Sequence, residues 1–132
     1  MLEIGLTNEM SEYVDYDHTA AKVGSGLAPV YATPAMIALM ENTCQTLMGP
    51  HLAEGEGSVG VSVNVKHIAA TPIGMTVRCE GKIKELKGRK VVFEVNCYDE
   101  VQLVGTGEHV RAIIDNEAFM ANVESKKAQA GK

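Results

Sequence analysis

The chain has 132 residues, 45% of them apolar and 22% charged, enough for one hydrophobic core and near the balance of a globular domain. Its net charge is −5, with no basic cluster beyond Lys126-Lys127, which argues against nucleic acid as the main partner. No apolar run is long enough to span a membrane, and the N-terminus carries early acids rather than a basic-then-apolar leader. Cys44, Cys79 and Cys97 are odd in number and lack metal-type spacing. They read as buried free thiols, which suits a cytoplasmic protein.

In chain order, residues 3–14 alternate loosely and predict a first strand. Residues 15–32, rich in Gly and small side chains, read as a loop or lid. Thr33-Pro34 then opens the clearest helix. Thr33 suits an N-cap and Pro34 the first helical position, and the run continues for about four turns to Gly49-Pro50. From Ser58 the period changes to two, with Val59, Val61, Val63 and Val65 on one face of a half-buried strand. A turn at Thr71-Pro72-Ile73-Gly74 leads to a second strand in this run, with Met75, Val77, Cys79 and Ile83 alternating. Lys87-Gly88-Arg89 reads as a hairpin connection. Val91, Phe93, Val95 and Cys97 share a face of the next strand, and the last strand spans about 101–114. A short helix from Asn116 and a frayed tail over about 123–132 complete a single α+β domain covering 1–132. One helix cannot cover both faces of so long a sheet, so a dimer is expected.

The pattern breaks at a few residues. The helix stripe of Met36, Ile37, Met40, Glu41, Cys44, Leu47 and Met48 has a carboxylate in its middle. An apolar setting is costly for Glu41 unless it is paired, and burial favours a role as base or switchable acid. The competing reading is a glutamate at the edge of the stripe with its head in water. His67 continues the Val59–Val65 face and is expected to point toward the helix, where it could form an acid–base pair with Glu41. Thr33 lies eight residues before Glu41, about 12 Å along the axis of a regular helix, so it could meet Glu41 only through an irregular first turn, a dimer interface or a substrate. Gly60, Gly105 and Gly107 interrupt their strands, as glycines do at bulges or close approaches. His109 and Arg111 share a face of the last strand; Arg111 reads either as a surface cation, the favoured reading, or as a cation that reaches an anionic group. The four histidines show no metal-type spacing, and no GxSxG or Cys–His nucleophile motif is present.

The stretches ATPAMIALMENTCQTLMGP, HLAEGEGSVGVSVNVKHIAATPIGMTV and GTGEHVRAIID resemble the fluoroacetyl-CoA thioesterase-like branch of the hotdog superfamily over roughly residues 20–122. The resemblance implies a hotdog fold, an antiparallel sheet wrapped around a long central helix. It places Thr33, Glu41 and His67 at the family's Thr–Glu–His catalytic set. It also places Gly60 at a substrate-contacting glycine and Arg111 at an arginine of the last strand, both expected to bind substrate. The implied protein is a homodimer, or a tetramer built from dimers, with active sites at the dimer interface. It would hydrolyse short-chain acyl-CoA thioesters without a cofactor or metal. The family's fluoroacetyl-specific enzyme has phenylalanines in the lid, whereas VGSGLAPVYA has none, so the fluoroacetyl preference is not carried over. The alternative reading is a non-catalytic hotdog protein that binds acyl-CoA or a small ligand.

Overall fold

The computed structural model describes residues 1–131; Lys132, the end of the tail expected to fray, lies outside the described residues. Five strands, β1 (Thr7–Tyr13), β2 (Glu56–His67), β3 (Thr76–Lys87), β4 (Lys90–Tyr98) and β5 (Leu103–Asp115), form one antiparallel sheet in the order β1-β3-β4-β5-β2. The period-two stretches of the sequence become these strands because their alternate side chains can be buried together. Val77, Cys79 and Ile83 on β3 and Val91, Phe93, Val95 and Cys97 on β4 are all buried, while the charged side chains between them face water. Gly88, at φ +61°, turns the chain between β3 and β4, a left-handed conformation that suits glycine.

The sheet curls around α2 (Thr33–Met48), which carries Pro34 in its first turn. Gly105 lies directly under Met36, so a side chain at 105 would collide with the methionine sulfur, and the helix can settle closely on the sheet. The buried residues of α2 are Met36, Leu39, Met40, Thr43, Cys44, Leu47 and Met48. This corrects the predicted stripe. Leu39 and Thr43 join it, while Ile37 and Glu41 lie at its margin. The cause is the docking geometry, because α2 packs chiefly against β1 and β3. That turns its apolar face away from β2 and leaves residues 60–64 of β2 exposed.

The sequence-predicted lid contains a single turn of 3-10 helix (Tyr16–His18) and the short α1 (Ala20–Val23), closed by Gly24 at φ +92°. Bridges from Thr19 to Tyr31 and from Val30 to Pro72 tie it to the body. Tyr31 is buried and donates its hydroxyl to the Glu12 carboxylate at 2.6 Å. At the other end, Asp115 accepts from the Ala118 N–H and caps α3 (Asn116–Ala130). This helix runs further than the sequence suggested, through most of the stretch expected to fray.

Candidate active site

Two clusters of polar side chains lie along the side of α2 that faces β2. The first joins the start of the helix to the end of β2. Thr33 is the first helical residue; Ala32 takes the N-cap position, and no side chain caps the helix. The sequence reading had put Thr33 at the cap. Its hydroxyl instead meets His67 Nδ1 at 2.7 Å. The His67 ring stands edge-on to Tyr31, with ring centroids 6.3 Å apart. Its Nε2 is buried without a hydrogen-bond partner, and burial holds its pKa below the ordinary histidine value. A cavity of about 320 Å³ opens beside this pair, lined by Ala20, Ser25, Val30, Ala69 and Ala70 among others. Small side chains of the lid and of the segment after β2 thus form much of its wall.

The second cluster surrounds Glu41, two turns further along α2. Its Oε2 lies 3.6 Å from Arg111 Nη1 and 3.9 Å from His109 Nε2. The side chain is 41% exposed, so Glu41 sits at the edge of the apolar stripe with its head partly in water rather than buried as first expected. Arg111, read from the sequence as a surface residue, is only 6% exposed, and His109 is fully buried. Arg111 donates through Nε to Ser58 Oγ at 2.9 Å and through Nη2 to the Ser58 carbonyl at 3.1 Å. Burial lowers the guanidinium pKa, and the nearby Glu41 opposes that shift; an arginine in such a setting remains a cation. Gly60 closes the cluster. A Cβ there would lie 2.6 Å from Glu41 Oε2, so the carboxylate occupies space that only glycine leaves free.

A bulge in β2 makes both clusters possible. Directly opposed residues of an antiparallel pair share a face. Gly60 opposes Arg111 and Ser58 opposes Ile113, whereas Val63, Val65 and His67 oppose His109, Gly107 and Gly105. Val61 is the extra residue, and the alternation changes parity there. The predicted uninterrupted face from Val59 to His67 is therefore corrected. Its second half, with His67, faces inward as expected, but before the bulge Ser58 and Gly60 take the inward positions and Val59 faces out. The structure brings Thr33 to His67, and it brings Glu41, Arg111 and Gly60 together. Within one chain Glu41 does not contact His67, since the regular helix separates the clusters by about 12 Å. The sequence reading missed His109 and Ser58. Gly105 was the available signal, because a glycine inside a strand marks a close approach, here of Met36 on α2, and His109 and Arg111 continue its face.

A curled antiparallel sheet around one long helix, with its polar groups strung along the helix, is a hotdog fold of the thioesterase class. A family model described as fluoroacetyl-CoA-specific thioesterase matches residues 14–117. The fluoroacetyl-CoA thioesterase of Streptantibioticus cattleyicolor is 42% identical over 97 residues, which cover 74% of this chain and 70% of that protein. The chain belongs to the fluoroacetyl-CoA-specific thioesterase family. A mutant of the fluoroacetyl-CoA-specific thioesterase, solved in complex with fluoroacetate and CoA, is 33% identical, with a TM-score of 0.85 over 89% of this chain and 99% of that one. A thioesterase superfamily member from Thermus thermophilus is 27% identical, with a TM-score of 0.92 over 98% and 96% of the two chains.

Proposed function

We propose that this chain is an acyl-CoA thioesterase that hydrolyses short-chain acyl-CoA thioesters to free acid and CoA, with Thr33, Glu41 and His67 as its catalytic residues. The observation that carries this reading is the Thr33–His67 pair, held at 2.7 Å beside a cavity wide enough for an acyl group. The imidazole is kept neutral by burial, as a proton acceptor near neutral pH must be. Glu41 either attacks the thioester carbonyl, expelling the CoA thiolate and leaving an acyl-glutamyl anhydride that water then hydrolyses, or deprotonates a water that attacks the carbonyl directly as the C–S bond breaks. His67 passes the proton of the attacking water on to the departing thiolate, and Thr33 fixes the ring. A thiol leaving group with a pKa near that of cysteine, about 8.5, needs little acid assistance, so no resident cofactor is required beyond the CoA of the substrate.

The separation of Glu41 from His67 along one helix supports a homodimer in which the glutamate of one protomer completes the Thr33–His67 pair of the other. The exposed edge strand β2 carries the partly exposed Val61 and Val63. Such an edge is suited to pairing with a second copy. Gly60 and Arg111 belong to the substrate side of this site through the carboxylate they hold. The small residues lining the cavity leave room for acyl groups larger than fluoroacetyl. Among the described residues no helix is long and apolar enough to cross a membrane. The three buried free thiols suit a cytoplasmic enzyme.

The test is free-thiol release from a panel running from acetyl-CoA to phenylacetyl-CoA. Wild-type protein is expected to turn over at least one member, with Glu41→Gln and His67→Ala folded and each reduced by at least about a hundredfold. Binding of CoA esters without release on any of them would instead identify a binding module.

A further inference from the structure

His109 has no place in the Thr33–Glu41–His67 set, yet its hydrogen bonds specify its chemical state. Its Nδ1 lies 2.9 Å from the Ser62 carbonyl. A carbonyl only accepts, so Nδ1 carries the proton. Its Nε2 lies 3.1 Å from Arg111 Nη1. A guanidinium only donates, so Nε2 presents its lone pair. Only the neutral Nδ1–H tautomer satisfies both contacts. A protonated ring would set an N–H against the guanidinium N–H and break the second bond. The ring packs against Phe93, with planes 25° apart, and is fully buried. Arg111 is thereby held on three sides, by Ser58 Oγ, the Ser58 carbonyl and His109 Nε2, with the Nη1 edge presented to the Glu41 carboxylate at 3.6 Å.

We infer that His109 is a positioning residue that, as a neutral imidazole, orients the Arg111 guanidinium and through it sets the Glu41 carboxylate for reaction. The inference rests on the proposed role of Glu41. Two charged groups face the imidazole: Arg111 on its own strand, and Glu41 on α2. Cys44, also on α2, lies near both, and burial pushes its thiol pKa up so that it stays neutral. From β2 and β4 the ring meets the Ser62 carbonyl and Phe93, which do not titrate. Burial first, and Arg111 after it, depress the His109 pKa, while the Ser62 carbonyl and Glu41 oppose them. The depressed value keeps the lone pair available to Arg111 down to a pH below the usual histidine range, near 6.5.

Two replacements separate positioning from packing. His109→Phe keeps a ring against Phe93 but has no acceptor. His109→Gln places an amide oxygen near the Nε2 position and does not titrate. In folded dimers, His109→Phe is expected to lower kcat at least about tenfold with KM little changed, since a small displacement of a reacting group is costly. His109→Gln is expected to recover a substantial part of that loss. Equal kcat in the two variants, or a His109→Phe enzyme within about twofold of wild type, overturns the inference. Nitrogen NMR of the wild-type imidazole gives a readout that needs neither variant nor substrate. It should report protonated Nδ1 and unprotonated Nε2 at pH 7, persisting below pH 6.5; the Nε2–H tautomer or a cation at pH 7 overturns it. If Glu41→Gln keeps its activity, the catalytic reading fails; if Glu41→Gln is dead but His109→Phe is not, only this inference fails.

Discussion

Thr33 shows how one hydroxyl is drawn away from a local role. A threonine before proline at the start of a helix is the expected N-cap, and replacing such a cap costs about 1 kcal/mol. In the structure Ala32 is the N-cap residue, and the Thr33 hydroxyl is spent on His67 Nδ1 at 2.7 Å. Thr33→Val keeps the branched shape and removes only the hydroxyl. It is therefore expected to leave the denaturation midpoint nearly unchanged, with a stability loss under about 0.5 kcal/mol, while thiol release falls at least about tenfold. Chemical denaturation and steady-state kinetics on the same preparation check both halves. A full cap penalty with unchanged turnover would return Thr33 to a structural role. At the same scale, the residue types at Thr33, Glu41 and His67 were legible in the sequence, because each breaks or punctuates a clear pattern. Their grouping was not. The alternation of β2 carried His67 to the correct face, but nothing local to residue 41 announced that its partner in the chain would be Arg111.

At the scale of elements, the site depends on one bulge and on one offset helix. Sequence alternation assumes an even count of residues, and Val61 breaks that count without any compositional mark except the neighbouring Gly60. The period of α2 was equally clear, yet periodicity gives the width of an apolar face and not the direction in which it docks. Packing against β1 and β3 moved Ile37 and Glu41 from the centre of the predicted stripe to its margin. The strands β3 and β4 were readable because their inner and outer faces differ in polarity at nearly every position. On β5 both faces carry apolar residues, so polarity could not choose between them, and for the buried Arg111 the surface reading was the favoured one. The bulge makes a specific demand at Gly60, where an added Cβ would sit 2.6 Å from Glu41 Oε2, 3.4 Å from His109 Cε1 and 3.8 Å from Arg111 Nη1. Gly60→Ala is expected to displace the carboxylate and reduce kcat at least about tenfold, with circular dichroism unchanged. Wild-type kcat in that variant would mean that the carboxylate does not need its observed position.

The whole molecule leaves its proposed catalytic groups on the open side. α2 covers the β1–β3 half of the inner face, while β2 ends the sheet with an exposed edge at residues 60–64. The surface ion pairs, such as Arg89 with Glu56 at 3.0 Å, are exposed and contribute little to stability. The hydrophobic cluster between α2 and β3–β4 is the larger source. That core makes one chain a stable scaffold, but it does not bring Glu41 to His67. In the proposed homodimer a second copy against β2 supplies both the missing cover and the missing carboxylate. The most direct measurement is thiol release by a purified heterodimer, isolated through two different tags, with Glu41→Gln in one chain and His67→Ala in the other. Sites shared across a twofold interface leave one intact Thr33–His67–Glu41 set in that heterodimer, so it should show about half the wild-type turnover, while each mutant homodimer is inactive. An inactive heterodimer, with both homodimers folded and paired, would contradict the composite site.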